Sequence, residues 1–236
     1  MAILFKLLIA HLIGDFFAQT NSSVKRKEKY KLKSTALYIH VLIHGVLAMI
    51  ALWDFSLWYV AVIIMISHLL IDAAKLYATN KRNKRWIFLA DQVAHIAVIT
   101  VLWLWVDGKL MSFELELPYQ FWMLILCLIF LTAPVSIALK TFFTRWKLSP
   151  KDSGIDSLKN AGKWIGMIER ILIFIFIISG HFEAVGFLLA AKSVFRFGDL
   201  NREDNMKLTE YVLIGTLLSF GIAILTGLAF QQLVTL

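Results

Sequence analysis

Four stretches set ionisable side chains at one stride inside otherwise apolar runs. They are His11 and Asp15 in "HLIGDFFAQT", His40 and His44 in "HVLIH", His68 and Asp72 in "HLLID", and Asp91 and His95 in "DQVAH". Imidazole and carboxylate without thiolate suit Zn²⁺, Fe²⁺ or Mn²⁺ and disfavour soft-metal sites. Residues i and i+4 of a helix share a face, about 6 Å apart along the axis, so each pair offers two ligands from one helix. Eight candidate ligands exceed the four of one tetrahedral ion, which fits two divalent ions per chain, or one ion with supporting carboxylates. Soluble di-metal bundles use comparable strides. A carboxylate not bound to metal, Asp91 or Asp15, could serve as general base. Two other readings stay open: a proton- or ion-conducting His/Asp chain, and a structural network of buried polar groups. Ionisable groups in hydrocarbon are costly enough that eight of them need a strong reason.

The elements that must position these residues are long apolar helices. The chain has 236 residues and is 59% hydrophobic, with several runs approaching the ~20 residues that cross a hydrocarbon core of ~30 Å. This predicts an all-α polytopic membrane protein. Long apolar runs, rather than short alternating ones, argue against an outer-membrane barrel. The expected segments are roughly 1–20, 34–53, 57–78, 86–106, 118–143, 164–179, 184–198 and 208–233. The seventh is short, and Pro134 should kink the fifth. Residues 1–106 form a four-helix His/Asp domain, and residues 107–236 supply helices that complete the bundle. The first four helices read as two parallel hairpin repeats, His-x3-Asp then His-x3-His, and His-x3-Asp then Asp-x3-His. By depth, Asp15, His40, Asp72 and Asp91 should form one layer near a membrane interface. His11, His44, His68 and His95 should form a second layer one turn deeper.

The net charge of +8 reports topology rather than nucleic-acid binding. Alternate connections carry seventeen Lys/Arg, in "NSSVKRKEKYKLK", "TNKRNKRW", "RWKLSPKDSGIDSLKNAGK" and "DLNREDNMK", while the intervening ones hold only Lys109. The positive-inside rule then puts the basic loops in the cytoplasm and both termini outside. Trp53, Trp58, Trp103, Trp105 and Trp122 fall near the expected outer interface, and Trp86, Trp146 and Trp164 near the inner one. Residues 1–20 read as a retained first helix, because Lys6, His11, Asp15 and Gln19 interrupt the apolar run. The single Cys127 excludes a disulfide framework within the chain.

Polar neighbours extend the candidate site. Gln19 continues the stride of Asp15, Gln92 follows Asp91, and Lys75 either pairs with Asp72 or faces the headgroups. In the second half, Arg170, Lys192 and Arg196 are candidates for a cationic pocket that takes an anionic head group, or for a salt-bridge network that fixes packing. Gly215, Thr216 and Ser219 read as a packing stripe.

The motifs "HLIGDFFAQT", "HVLIH", "SHLLIDAAK" and "FLADQVAH" resemble a bacterial membrane family known as domain of unknown function 3307, over about residues 8–100. That resemblance implies no activity. A looser similarity, to bacterial inner-membrane proteins described as metal-dependent hydrolases, implies metal-dependent hydrolysis by analogy. The expected partners are the lipid bilayer and an anionic lipid substrate, without nucleic acid; oligomeric state stays open. Three functions are carried forward. The first is a metal-dependent hydrolase of a lipid or lipid-linked (phospho)ester at the cytoplasmic leaflet of the bacterial inner membrane. The others are a metal or proton transporter, and a metal-stabilised structural or sensory protein. The sequence holds no His-x-x-His-His box, no His-Glu-x-x-His, no Glu-Glu pair, no P-loop and no Gly-x-Ser-x-Gly.

Overall fold

The computed structural model describes residues 1–80, 82–106, 117–144, 161–197 and 206–235, with side chains omitted at 195–197 and 206–209. Among these, all regular structure is helical: α1 (Ala2–Phe16), α2 (Asn21–Tyr30), α3 (Thr35–Leu52), α4 (Trp58–Ala78), α5 (Lys84–Val106), α6 (Tyr119–Phe130), α7 (Ala133–Phe143), α8 (Ala161–Ile178), α9 (Phe182–Phe197) and α10 (Met206–Val234). Short 3₁₀ turns at Lys31–Lys33 and Phe55–Leu57 precede α3 and α4. The chain divides into two compact units, Met1–Ile129 and Phe130–Leu236.

Among the described residues, five stretches are long and apolar enough to cross a membrane: Thr35–Leu52, Phe55–Ala78, Lys84–Val106, Tyr119–Phe143 and Glu210–Val234. The other three expected segments fall short for identifiable reasons. Helix α1 has 15 residues, about 22 Å of rise against a core of ~30 Å. It reaches the required length only with the next helical stretch, Asn21–Lys33, which turns away by 80°. Helix α8 carries Lys163, Glu169 and Arg170 within its 18 residues, and α9 has 16. The connections at 107–116, 145–160 and 198–205, with Lys109 and Trp146, lie outside the described residues.

One expectation changes and another gains detail. "NSSVKRKEKY" is not a loop. Thr20 caps it by accepting the Ser23 N–H at 3.2 Å, and the run is free of Pro and Gly, so a helix forms. The fifth segment is one apolar span, Tyr119–Phe143, whose helix is interrupted near the expected Pro134. The helix stops at Phe130, turns through Leu131 and Thr132, and restarts as α7 with Pro134 in its first turn, where a missing N–H costs nothing.

In the first unit, α1 packs on α3 and α5, α3 on α4, and α4 on α5, closing a ring of four helices. Helix α2 lies against α3. Close approach depends on small residues: a Cβ at Gly45 would run into the Met65 thioether, and one at Gly14 into the His44 ring. One half of the ring is filled by an apolar core of Leu7, Ala48, Leu52, Leu57, Val60, Ala61, Ile64, Ile99, Leu102 and Val106. The other half holds the His/Asp residues.

Candidate metal centre

Each of the four ring helices delivers its pair to the interior: α1 His11 and Asp15, α3 His40 and His44, α4 His68 and Asp72, α5 Asp91 and His95. All five imidazoles, Asp72 and Asp91 are buried at 4% exposure or less, and the Asp15 side chain at 8%. The i, i+4 stride makes this possible, since one helical face carries both residues toward the same axis.

The deeper layer is a cluster of four imidazoles. His44 stacks on His68 with centroids 3.8 Å apart, and His68 on His95 at 4.0 Å. His11 lies 5.1 Å from His95 and 5.6 Å from His44. The second layer holds Asp15, His40, Asp72 and Asp91, and Asp15 ties the two together. Its Oδ1 is 3.2 Å from Nε2 of both His40 and His44 and 3.5 Å from Nε2 of His68. Its Oδ2 is 3.8 Å from His11 Nε2. His40 and His68 face each other, Nε2 to Nε2, at 3.1 Å. His95 Nε2 is 3.6 Å from Asp91 Oδ1 and 4.0 Å from Asp72 Oδ1.

These spacings fit shared coordination. A tetrahedral ion with bonds of about 2.0–2.1 Å sets its ligand atoms about 3.3–3.4 Å apart. Three overlapping sets have ligand atoms within 4.8 Å of one another: His11, Asp15, His44 and His68; His40, His68 and Asp72; Asp15, Asp91 and His95. Among the described residues, His11 Nε2, His95 Nε2 and Asp91 Oδ1 are buried without a hydrogen-bond partner. Unpartnered buried polar atoms are uncommon and costly. Here all three belong to the convergent sets, so the donor chemistry and the unmet valences agree with a divalent ion.

The polar neighbours fall into place around this cluster. The Gln92 amide donates to Asp15 Oδ2 at 2.9 Å and to Asp91 Oδ2 at 3.1 Å, orienting both carboxylates. The Gln19 amide nitrogen lies 3.0 Å from His40 Nε2. Lys75 does not pair with Asp72 on its own helix. It crosses to α5 and donates to Asp91 Oδ2 at 2.6 Å. The partner of Asp72 is Lys27 of α2, at 2.8 Å and 5% exposed. Sequence reasoning missed Lys27 by counting it among the cytoplasmic charges. The Thr cap and unbroken helical run from Asn21 to Tyr30 were the available signal.

Arg170, Lys192 and Arg196 belong to the second unit. Arg170 donates from Nε to the Leu131 carbonyl at 2.5 Å and from Nη2 to the Thr132 carbonyl at 3.1 Å. Further bonds run from Nη2 to Ser136 Oγ at 2.7 Å and from Nη1 to Ser219 Oγ at 3.1 Å. It thus serves the Leu131 carbonyl at the break between α6 and α7 and adds a donor to the Thr132 carbonyl, which already accepts the Ser136 N–H at 3.2 Å. Lys192 donates to Glu169 at 2.6 Å. The side chain of Arg196 lies outside the described residues.

No curated protein and no solved structure matches the chain. A family model described as "Protein of unknown function (DUF3307)" matches residues 3–124. That span takes in α1 to α5, with every histidine and aspartate of the centre and both of its lysines. It covers more than half of the 236 residues, and the chain therefore belongs to the DUF3307 family.

Proposed function

We propose that this chain is a membrane-embedded, metal-dependent hydrolase of the bacterial inner membrane, acting on a lipid or lipid-linked phosphoester from the cytoplasmic leaflet. The observation that carries the reading is the convergence of four imidazole Nε2 atoms on the two oxygens of Asp15. Three atoms of the same cluster lack partners among the described residues. Asp15 has two oxygens and can be shared between two ions, whereas His68 meets both His40 and Asp15 through the same atom, Nε2. This favours one ion among His11, Asp15, His44 and His68 and a second among Asp15, Asp91 and His95, with His40 and Asp72 in support.

A divalent ion held there supplies Lewis acidity and an activated water. The chain's own residues do the rest. Gln92 holds Asp15 and Asp91 in register. Lys75 and Gln92 occupy Asp91 Oδ2, which leaves Oδ1, without a hydrogen-bond donor among the described residues, as the oxygen that would hold the second ion. The charge asymmetry of the connections supports a cytoplasmic position for this end of the ring.

A second reading has one observation in its favour. The His40–His68 contact, Nε2 to Nε2 at 3.1 Å, is the geometry of a shared proton, as a proton conduit would require. Against it, the other half of the ring is filled by Leu7, Leu52, Val60, Ile64, Ile99 and Leu102, and a conduit needs a polar path through both halves.

The test is hydrolysis by the detergent-purified chain loaded with Zn²⁺, Mn²⁺ or Fe²⁺, screened on phospholipids and polyprenyl phosphates. Metal-dependent product release that Asp91→Asn abolishes supports the hydrolase. A fully loaded protein that cleaves none of these, yet carries protons into liposomes, replaces it with the conduit.

A further inference from the structure

Lys27 and Lys75 come from different helices and end on the same layer of the centre. Lys27 holds Asp72 at 2.8 Å and Lys75 holds Asp91 at 2.6 Å. His95 lies between these carboxylates, 4.0 Å from one and 3.6 Å from the other. An ammonium has three N–H donors, and each lysine gives one of them to its carboxylate. The Lys27 side chain is 7% exposed, so its remaining donors face a largely dry environment, where unmet donors are costly.

Charge balance points the same way. Asp15, Asp72 and Asp91 against Lys27 and Lys75 leave one net negative charge when the imidazoles are neutral, as ligand imidazoles are. One divalent ion turns that into one positive charge, and two ions into three. A buried excess of positive charge calls for a compensating anion. A tetrahedral anion with several oxygens would also use the spare lysine donors.

Resting on the metal-dependent reading above, we infer that Lys27 and Lys75 form the anion-binding pair of the centre and hold the phosphate group of its substrate. This places the substrate's phosphate at the first unit's own centre, on residues 27 and 75, rather than on Arg170 and Lys192. Every guanidinium nitrogen of Arg170 already donates to an oxygen of the second unit, and Lys192 is paired with a carboxylate of that unit that belongs to no convergent His/Asp set. The shared chemistry is a phosphate with at least two free oxygens, whether carried by a lipid or free in the cytoplasm.

The experiment titrates inorganic phosphate into the metal-loaded full chain by calorimetry. A parallel arm uses nanodiscs of phosphatidylcholine with and without phosphatidic acid. Metal content is measured on every sample. We expect Lys27→Met and Lys75→Met each to weaken binding about tenfold or more at unchanged metal content, and Lys27→Arg to stay within about threefold. Lys84→Met, which removes a surface ammonium 3.5 Å from Glu28, should change binding less than about twofold. Competition by phosphatidic acid identifies a lipid-borne phosphate, and binding of inorganic phosphate alone identifies a free one; both support the pair. Lys75 is partly exposed, so its variant remains informative if Lys27→Met does not fold. Metal-loaded protein that binds neither probe, or binds them equally in Lys75→Met, overturns this inference and leaves the metal reading standing. Metal-free wild type instead removes the reading beneath it.

Discussion

In the second unit, Arg170 is 2% exposed and every nitrogen of its guanidinium donates to an oxygen of that unit. Glu169 beside it is matched by Lys192. In the first unit, five imidazoles and three carboxylates share two ammoniums and two amides, and three ligand atoms are left unpartnered among the described residues. Both units bury charge among apolar helices. One closes its hydrogen bonds internally, as a structural network must. The other leaves convergent lone pairs, which is the condition for binding something. Burial and charge alone do not separate the two cases, but the count of partners does.

The contrast can be broken from either side. Arg170→Met should have the largest effect on stability. It takes the guanidinium donor from the Leu131 carbonyl and from the Ser136 and Ser219 hydroxyls and should cost about 3 kcal/mol or more, read by thermal unfolding in detergent, while metal content stays at the wild-type level. Asp15→Asn removes the carboxylate on which four imidazoles converge. It should weaken metal affinity about 100-fold, read by competition with a chelator, with helicity retained. Gly14→Ala pushes a methyl group into the His44 ring. Displacing that ligand without deleting it should weaken metal affinity about tenfold. At the small end, Glu28→Gln removes the surface pair with Lys84, whose side chains are 56% and 50% exposed, and should shift stability by less than about 0.5 kcal/mol.

The eight clustered His and Asp residues were legible in the sequence because a four-residue stride maps onto one helical face whatever surrounds it. Their order along the chain also implied two layers: Asp15, His40, Asp72 and Asp91 contact the polar neighbours, while His44, His68 and His95 stack with His11 beside them. The cross-chain partners were not legible. Lys75 lies three residues from Asp72, yet its ammonium reaches Asp91 on α5, because a long side chain follows the nearest unpaired carboxylate in space. Lys27 looked like one basic residue among many, and only the 80° turn after α1 aims it inward. Arg170 could be seen as a buried charge, but its role depends on where α6 breaks. Pro134 marked the region without revealing that the break falls at Leu131 and Thr132.

The most direct test of the central claim is metal content by mass spectrometry on detergent-purified protein, prepared without chelators, with wild type beside His44→Ala and Asp72→Asn. The account predicts about one to two transition-metal ions per wild-type chain and a clear loss in both variants. Wild type that is folded and metal-free would contradict it, and the His/Asp layers would then have to be a proton path or a structural network.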